Sequence, residues 1–167
     1  MFSFFKKKKS LDIFAPVKGK VLDITDVPDM VFSQKMMGDG VAIEPENDIV
    51  VAPCGGKIIL ISNTKHAIAI ESEGVEFLIH IGLDTVELDG KGFESFVEAN
   101  DIVKKGDKLL KFDREYIAAQ GKLLTTSIVI TNMKDKVESL DKDYTSSDGK
   151  VFTVQIKWGR FEGFLIW

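Results

Sequence analysis

One cysteine in 167 residues, Cys54, excludes an internal disulfide and any thiolate cluster for a metal, which suits a reducing compartment. Within "APCGG" it reads as a small packing residue. No apolar run approaches the ~18 residues that cross a bilayer, and "MFSFFKKKKS" lacks the apolar stretch and cleavage site of a signal peptide. The chain is therefore expected to stay in the cytoplasm. There is no GxxxxGK[ST] loop and no dinucleotide fingerprint, and the "GDG" at 38–40 is long enough only for a turn. With no ATP site, any phosphate must arrive on another phosphorylated molecule. Net charge is −4; Lys6 to Lys9 contribute +4, so the remainder carries −8. A body that acidic argues against nucleic acid and for a basic protein surface as partner.

What is present is an ordinary globular composition, 44% hydrophobic and 29% charged, in a length that suits one domain with a real core. Residues 1–10 are aromatic and then basic, and read as a flexible arm. Phe2, Phe4 and Phe5 beside four lysines give that arm the chemistry for peripheral contact with an anionic membrane. "APVKGKVLDI" (15–24) and "APCGGKIILI" (52–61) share A-P-x-x-G-K-[VI]-[LI]-x-I, an internal repeat in which a Pro-Gly turn feeds a strand. "NDIVKKGDKLLKFD" (100–113) adds a strand-turn-strand unit and "LTTSIVITN" (124–132) another strand. Short strands between Gly and Asp turns predict an all-β protein, sandwich or barrel, with short helices near 93–99 and 113–120. The polar stretch 133–150 reads as an exposed excursion before a final strand at 151–158. Residues 159–167 form a tail with no assignable role.

Both histidines lie in "KHAIAIESEGVEFLIHIGLDTVELDG", 65–90. Two apolar alternating runs flank Ser72-Glu73-Gly74, which predicts a β-hairpin. With a three-residue loop ending in left-handed Gly74, partners sum to 146 and His66 faces His80 directly; a two- or four-residue loop would shift the sum to 147 and set His66 opposite Ile81. An opposed pair supports three readings. The rings could be satisfied core residues, two ligands of a metal site that lacks its third, or a nucleophile with a hydrogen-bonding partner. Thr64, two residues before His66, could bond its Nδ1 and fix the tautomer. Gly82 clears a side chain from the flank of His80 and admits a partner backbone; Asp84 follows at the strand end.

"TKHAIAIES" and "GVEFLIHIGLDTVELDGKGF" closely resemble the signature of the glucose-type enzyme IIA component of the bacterial phosphoenolpyruvate-dependent sugar phosphotransferase system. The resemblance extends through "IFAPVKGKVLDITDVPDMVFSQKMMGDGVAIEP", "VVAPCGGKI" and "SIVITNM", and sets a domain at 11–158. It implies an antiparallel β-sandwich with barrel-like closure and short peripheral helices. It also implies that His80 takes phosphate on Nε2 from phospho-HPr and passes it to the cysteine of a IIB domain, so that sugar can be taken up. His66 would support the phosphoryl group and Thr64 would orient His66. Asp29 and Asp84 match acidic residues that meet the arginine of HPr; Met30, Val31, Phe32 and Met37 match an apolar rim. Some relatives also hold zinc on the two histidines with a partner's carboxylate, so no cofactor is required but zinc at His66 and His80 is an expectation to test. "SSDGKVFTVQIKW" departs from the family's usual G-x-x-x-x-G-D before the last strand.

Two other functions compete. A biotinyl or lipoyl carrier would use the Met-Lys at 133–134, but its lysine belongs at a tight hairpin tip and the reading gives the histidines no task. A non-catalytic regulatory protein would use the apolar rim to dock protein targets and take up no phosphate.

Overall fold

The computed structural model describes residues 8–157. Thirteen strands run in chain order as β1 (Ser10–Phe14), β2 (Gly19–Asp23), β3 (Asp39–Pro45), β4 (Ile49–Val51), β5 (Gly56–Ile61), β6 (Ala67–Ser72) and β7 (Val75–His80). They continue as β8 (Phe93–Ser95), β9 (Ile102–Val103), β10 (Lys108–Phe112), β11 (Thr126–Ile130), β12 (Val137–Lys142) and β13 (Lys150–Ile156). Three short helices, α1 (Met30–Ser33), α2 (Arg114–Ala119) and α3 (Met133–Lys136), lie between them, with 3-10 turns at Ile24–Asp26 and Thr85–Leu88. Every pairing is antiparallel. Seven strands form one sheet in the order β2-β3-β11-β7-β6-β5-β9; β1-β13-β12 and β4-β10-β8 form two smaller ones. No helix among the described residues is long and apolar enough to cross a membrane.

The sequence pattern explains the layers. Period-2 alternation sends Ile68, Ile70, Phe77, Ile79, Ile128 and Ile130 to one face of the large sheet, where they meet Ile13, Phe152 and Val154 of the first small sheet and Leu110 and Phe112 of the second. Each such fully buried side chain contributes about 1.5–3 kcal/mol over its exposed state. The result is the antiparallel sandwich that the strand count and the resemblance led us to expect. Both copies of the repeat open a strand, β2 and β5, at its third conserved position, the glycine. Cys54 is buried, and burial pushes its thiol up to about 11, so it packs rather than reacts.

The opposite face of the large sheet is also covered, but only in part. Ala42, Ala67, Ala69, Leu78 and Val129 point outward from the sheet and are roofed by Ile24, Val27 and Phe32. The roof holds because Asp23 and Asp29 cap the two short helical turns, each carboxylate accepting from the backbone N–H two residues on. This small second core carries the histidines at its margin.

Four expectations need correction. The hairpin loop has two residues, Glu73 (φ 50) and Gly74 (φ 82), both left-handed as a type I′ turn requires, so partners sum to 147: Ser72 faces Val75 and Ala67 faces His80. His66 therefore lies opposite Ile81, whose N–H donates to the His66 carbonyl at 2.8 Å. Residues 93–95 are strand rather than helix, because Phe93 pairs with Phe112 and Ser95 with Leu110, a long-range pairing that outweighs local pattern. The stretch 133–150 is no mere excursion: it forms α3 and then β12, an edge strand that needs only Val137 and Leu140 turned inward. Ser10 already belongs to β1, and the Lys9 carbonyl accepts from Ile156 N–H. The rest of the arm, residues 1–7, and the whole tail 159–167 lie outside the described residues.

Candidate functional site

His80 closes β7, a strand with partners on both sides, so its backbone is held between Ala67 of β6 and Ser127 of β11. Its side chain shares the outer face with Leu78, and the Phe32 ring lies 5.0 Å from the imidazole, tilted by 56°. His66 sits one residue before β6, just after Lys65 turns through φ 56. Outside the ladder the alternation of faces is not imposed, so His66 and Ala67 can serve the same side. The two imidazoles meet edge to face, 5.0 Å apart at 81°. The pair thus forms, though by a different register from the one expected.

The hydrogen bonds fix which nitrogen is free. His80 Nδ1 stands 2.8 Å from the Gly82 carbonyl. A carbonyl only accepts, so Nδ1 carries the ring proton and Nε2 keeps its lone pair. Burial holds the His80 pKa below the usual imidazole value; the Gly82 bond and then the charges of Asp29 and Asp84 partly oppose it. His66 is also lowered, by burial first and then by His80. At neutral pH the site therefore holds two uncharged rings. Thr64 Oγ1 stands 2.6 Å from His66 Nδ1 and Ser62 Oγ 3.3 Å. With Thr64 donating, the proton of His66 sits on Nε2 as a hydrogen-bond donor.

Gly82 is required twice over. Its φ is +71, and a Cβ there would stand 2.5 Å from Thr85 Cγ2 and 2.8 Å from the Leu123 carbonyl oxygen. The turn is braced by Thr85, fully buried, whose hydroxyl donates to the Ile81 carbonyl at 2.5 Å, and by Leu83 N–H donating to Leu123. Asp84 itself is left-handed, φ 57.

The structure distributes the remaining candidates unevenly. Asp29 caps α1 beside His80, and Met30 (74% exposed) and Val31 (40%) stand outward on the same helix. Phe32 is the floor beneath His80, 4% exposed, rather than part of a rim. Met37 (40% exposed) lines a cleft with Met36, Asp39, Asn132 and Met133. Sequence reasoning missed Ser62, Thr85 and Ser127. Thr85 lies within the H-x-G-x-D-T-V segment and Ser62 four residues before His66, so both had a local signal; Ser127 had none.

Among the described residues, no group of three or more His, Cys, Asp or Glu is placed to hold a metal ion. The two Nε2 atoms are two ligands of the three or four that zinc takes from proteins, so this chain alone does not complete a zinc site. The carrier-lysine alternative has no support either: Lys134 lies in α3 between β11 and β12, not at the tip of a two-strand hairpin.

An uncharged imidazole locked in one tautomer beside a second, proton-bearing one is the equipment of a covalent group carrier. The family model for the phosphoenolpyruvate-dependent sugar phosphotransferase system, EIIA 1, matches residues 11–136, and the chain belongs to that family. It is 50% identical over 125 residues to the PTS system glucose-specific EIIA component of Staphylococcus epidermidis, covering 74% of this chain and 75% of the relative. It is 52% identical over 122 residues to the PTS system glucose-specific EIICBA component of Staphylococcus carnosus; the match spans 72% of this chain but only 18% of that longer protein. The solved glucose permease IIA from Mycoplasma capricolum superposes with a TM-score of 0.79 at 39% identity, over 91% of this chain and 99% of that one. Family membership makes the protein a phosphoryl-carrying component of the phosphotransferase system.

Proposed function

We propose that His80 Nε2 accepts the phosphoryl group from phospho-HPr and delivers it to the cysteine of a sugar-specific IIB domain. The observation that carries this reading is the bond from His80 Nδ1 to the Gly82 carbonyl, which leaves the Nε2 lone pair free on a ring kept neutral by burial. As that lone pair forms the new N–P bond, the N–P bond in the donor breaks; a thiolate later displaces His80 in the same way. The transition state is loose, with charge spread over the phosphoryl oxygens, so positioned donors matter more than covalent help. His66 Nε2–H, backed by Thr64, supplies one such donor. Asp29 and Asp84 suit an arginine-bearing surface, and Met30 and Val31 give the docking face its apolar contact.

Incubation with phosphoenolpyruvate, enzyme I and HPr, followed by intact mass at alkaline pH, tests the reading. One phosphoryl group should be gained by the native chain and none by His80→Ala. Uptake at the native rate by that variant would move the acceptor elsewhere. Which sugar is served rests with the membrane partner: the relatives include glucose-specific and glucoside-specific proteins alike.

A further inference from the structure

Ser127 is 1% exposed and its hydroxyl has no hydrogen-bond partner. Buried hydroxyls are nearly always bonded, because leaving one unpaired costs its full desolvation. The orphan is not randomly placed. In the β11–β7 ladder Ser127 is the direct partner of His80, and on its other side it faces Ala42. Directly paired residues put their side chains on the same face with Cβ atoms roughly 4.5–5.5 Å apart. That face is the outer one, since Val129 and Leu78, two residues away on each strand, belong to the small second core. Across the sheet the row reads Ala42, Ser127, His80, Ala67, with the His66 ring closing on His80 from the Ala67 side. His80 is therefore flanked by polar side chains on two sides, an imidazole from the β6 side and an unused hydroxyl from the β11 side.

Neither ring nitrogen of unphosphorylated His80 explains that hydroxyl: Nδ1 is committed to Gly82, and no bond from Ser127 to Nε2 exists. We infer that Ser127 is a positioning residue for phosphotransfer, its hydroxyl held without a partner until a phosphoryl oxygen on His80 Nε2 accepts from it. The inference rests on the reading of His80 as the phosphoryl acceptor. A donor that gains its bond only in the phosphorylated state favours that state selectively, whereas one already bonded would favour both alike. The serine also keeps the row small, with Ala42 on its far side and Ala67 beyond His80, which leaves space beside His80 for the incoming group.

Ser127→Ala separates this role from a structural one. Removing an unpaired hydroxyl leaves nothing newly unsatisfied, so the unphosphorylated variant should melt at or above the native temperature. Its phosphorylated form should lose a hydrogen bond to a charged group, shifting the phosphoryl exchange equilibrium with HPr about tenfold toward phospho-HPr. Ser127→Thr, which keeps the hydroxyl, should recover most of the shift. The phosphorus resonance of the phosphohistidine should also move in the alanine variant. An exchange equilibrium within threefold of the native value would overturn the proposal, as would a shift accompanied by a lower melting temperature in the unphosphorylated protein. The two readings fail differently: no label on the native chain would sink the His80 assignment, while a labelled native chain matched by Ser127→Ala would sink only the role of Ser127.

Discussion

Replacing Gly82 by alanine tests how far a backbone turn controls the chemistry of His80. Two costs follow from the geometry. An L-residue at φ +71 pays about 1–2 kcal/mol for the left-handed conformation. The new Cβ would also stand 2.5 Å from Thr85 Cγ2 and 2.8 Å from the Leu123 carbonyl oxygen, neither of them the free end of a flexible side chain, and such overpacking costs about 1–3 kcal/mol more. Urea unfolding should therefore show a loss of about 2–5 kcal/mol. Relief of the clash must move the 82–85 turn, and with it the carbonyl that accepts from His80 Nδ1. Losing that bond, worth about 1 kcal/mol, frees the competing tautomer with its proton on Nε2, so phosphoryl acceptance from HPr should slow roughly fivefold in protein that is still folded. Stopped-flow or rapid-quench transfer, at a denaturant-free temperature well below melting, reads the second effect apart from the first. A variant with native stability would refute the steric argument. A destabilised variant with native transfer rate would show that the Gly82 carbonyl does not set the tautomer.

Three further outcomes are expected. His66→Gln keeps an amide donor but loses the ring that Thr64 holds, so it should accept phosphate yet pass it to IIB about a hundredfold more slowly, the effect of a misaimed transition-state donor worth ~3 kcal/mol; rapid quench with labelled protein measures it, and failure to accept phosphate at all would mean that His66 activates His80 directly. Thr64→Val removes the 2.6 Å bond at His66 Nδ1, and should lower onward transfer while melting temperature changes little; unchanged transfer would assign the tautomer to Ser62. Both histidines are held below the ordinary imidazole value of 6.5, so the native state binds protons less readily than the unfolded chain; stability should be level above about pH 6.5 and fall as pH drops through that value toward the lowered native pKa values, a trend that His66→Gln should weaken in urea titrations.

Much of the site was legible locally. Thr64 and His66 are two residues apart and so are His80 and Gly82, and the bonds that matter in each pair span no more than that. The type of each strand likewise follows from alternation over five or six residues, and the hairpin from a polar gap ending in Gly74. Its register did not follow, because two- and three-residue loops fit the same letters. The choice was made by Glu73 accepting a left-handed conformation, which lets the I′ turn match the strand twist.

By itself, then, the sequence determined the class of fold, the two candidate imidazoles and the residues that hydrogen-bond to them, since periodicity and short-range hydrogen bonds are properties of neighbours along the chain. The tertiary structure decided whatever depends on partners far away in sequence. It made Phe93–Ser95 a strand by pairing it with β10, and gave the polar 137–142 segment an edge beside β13. It turned Phe32 inward beneath His80. It also set Ser127 beside His80, forty-seven positions away in numbering (127 minus 80), through a ladder that forms only once β11 enters the centre of the sheet. Cross-strand order is set by which arrangement buries the most apolar surface over the whole chain, and no window of neighbouring residues contains that sum.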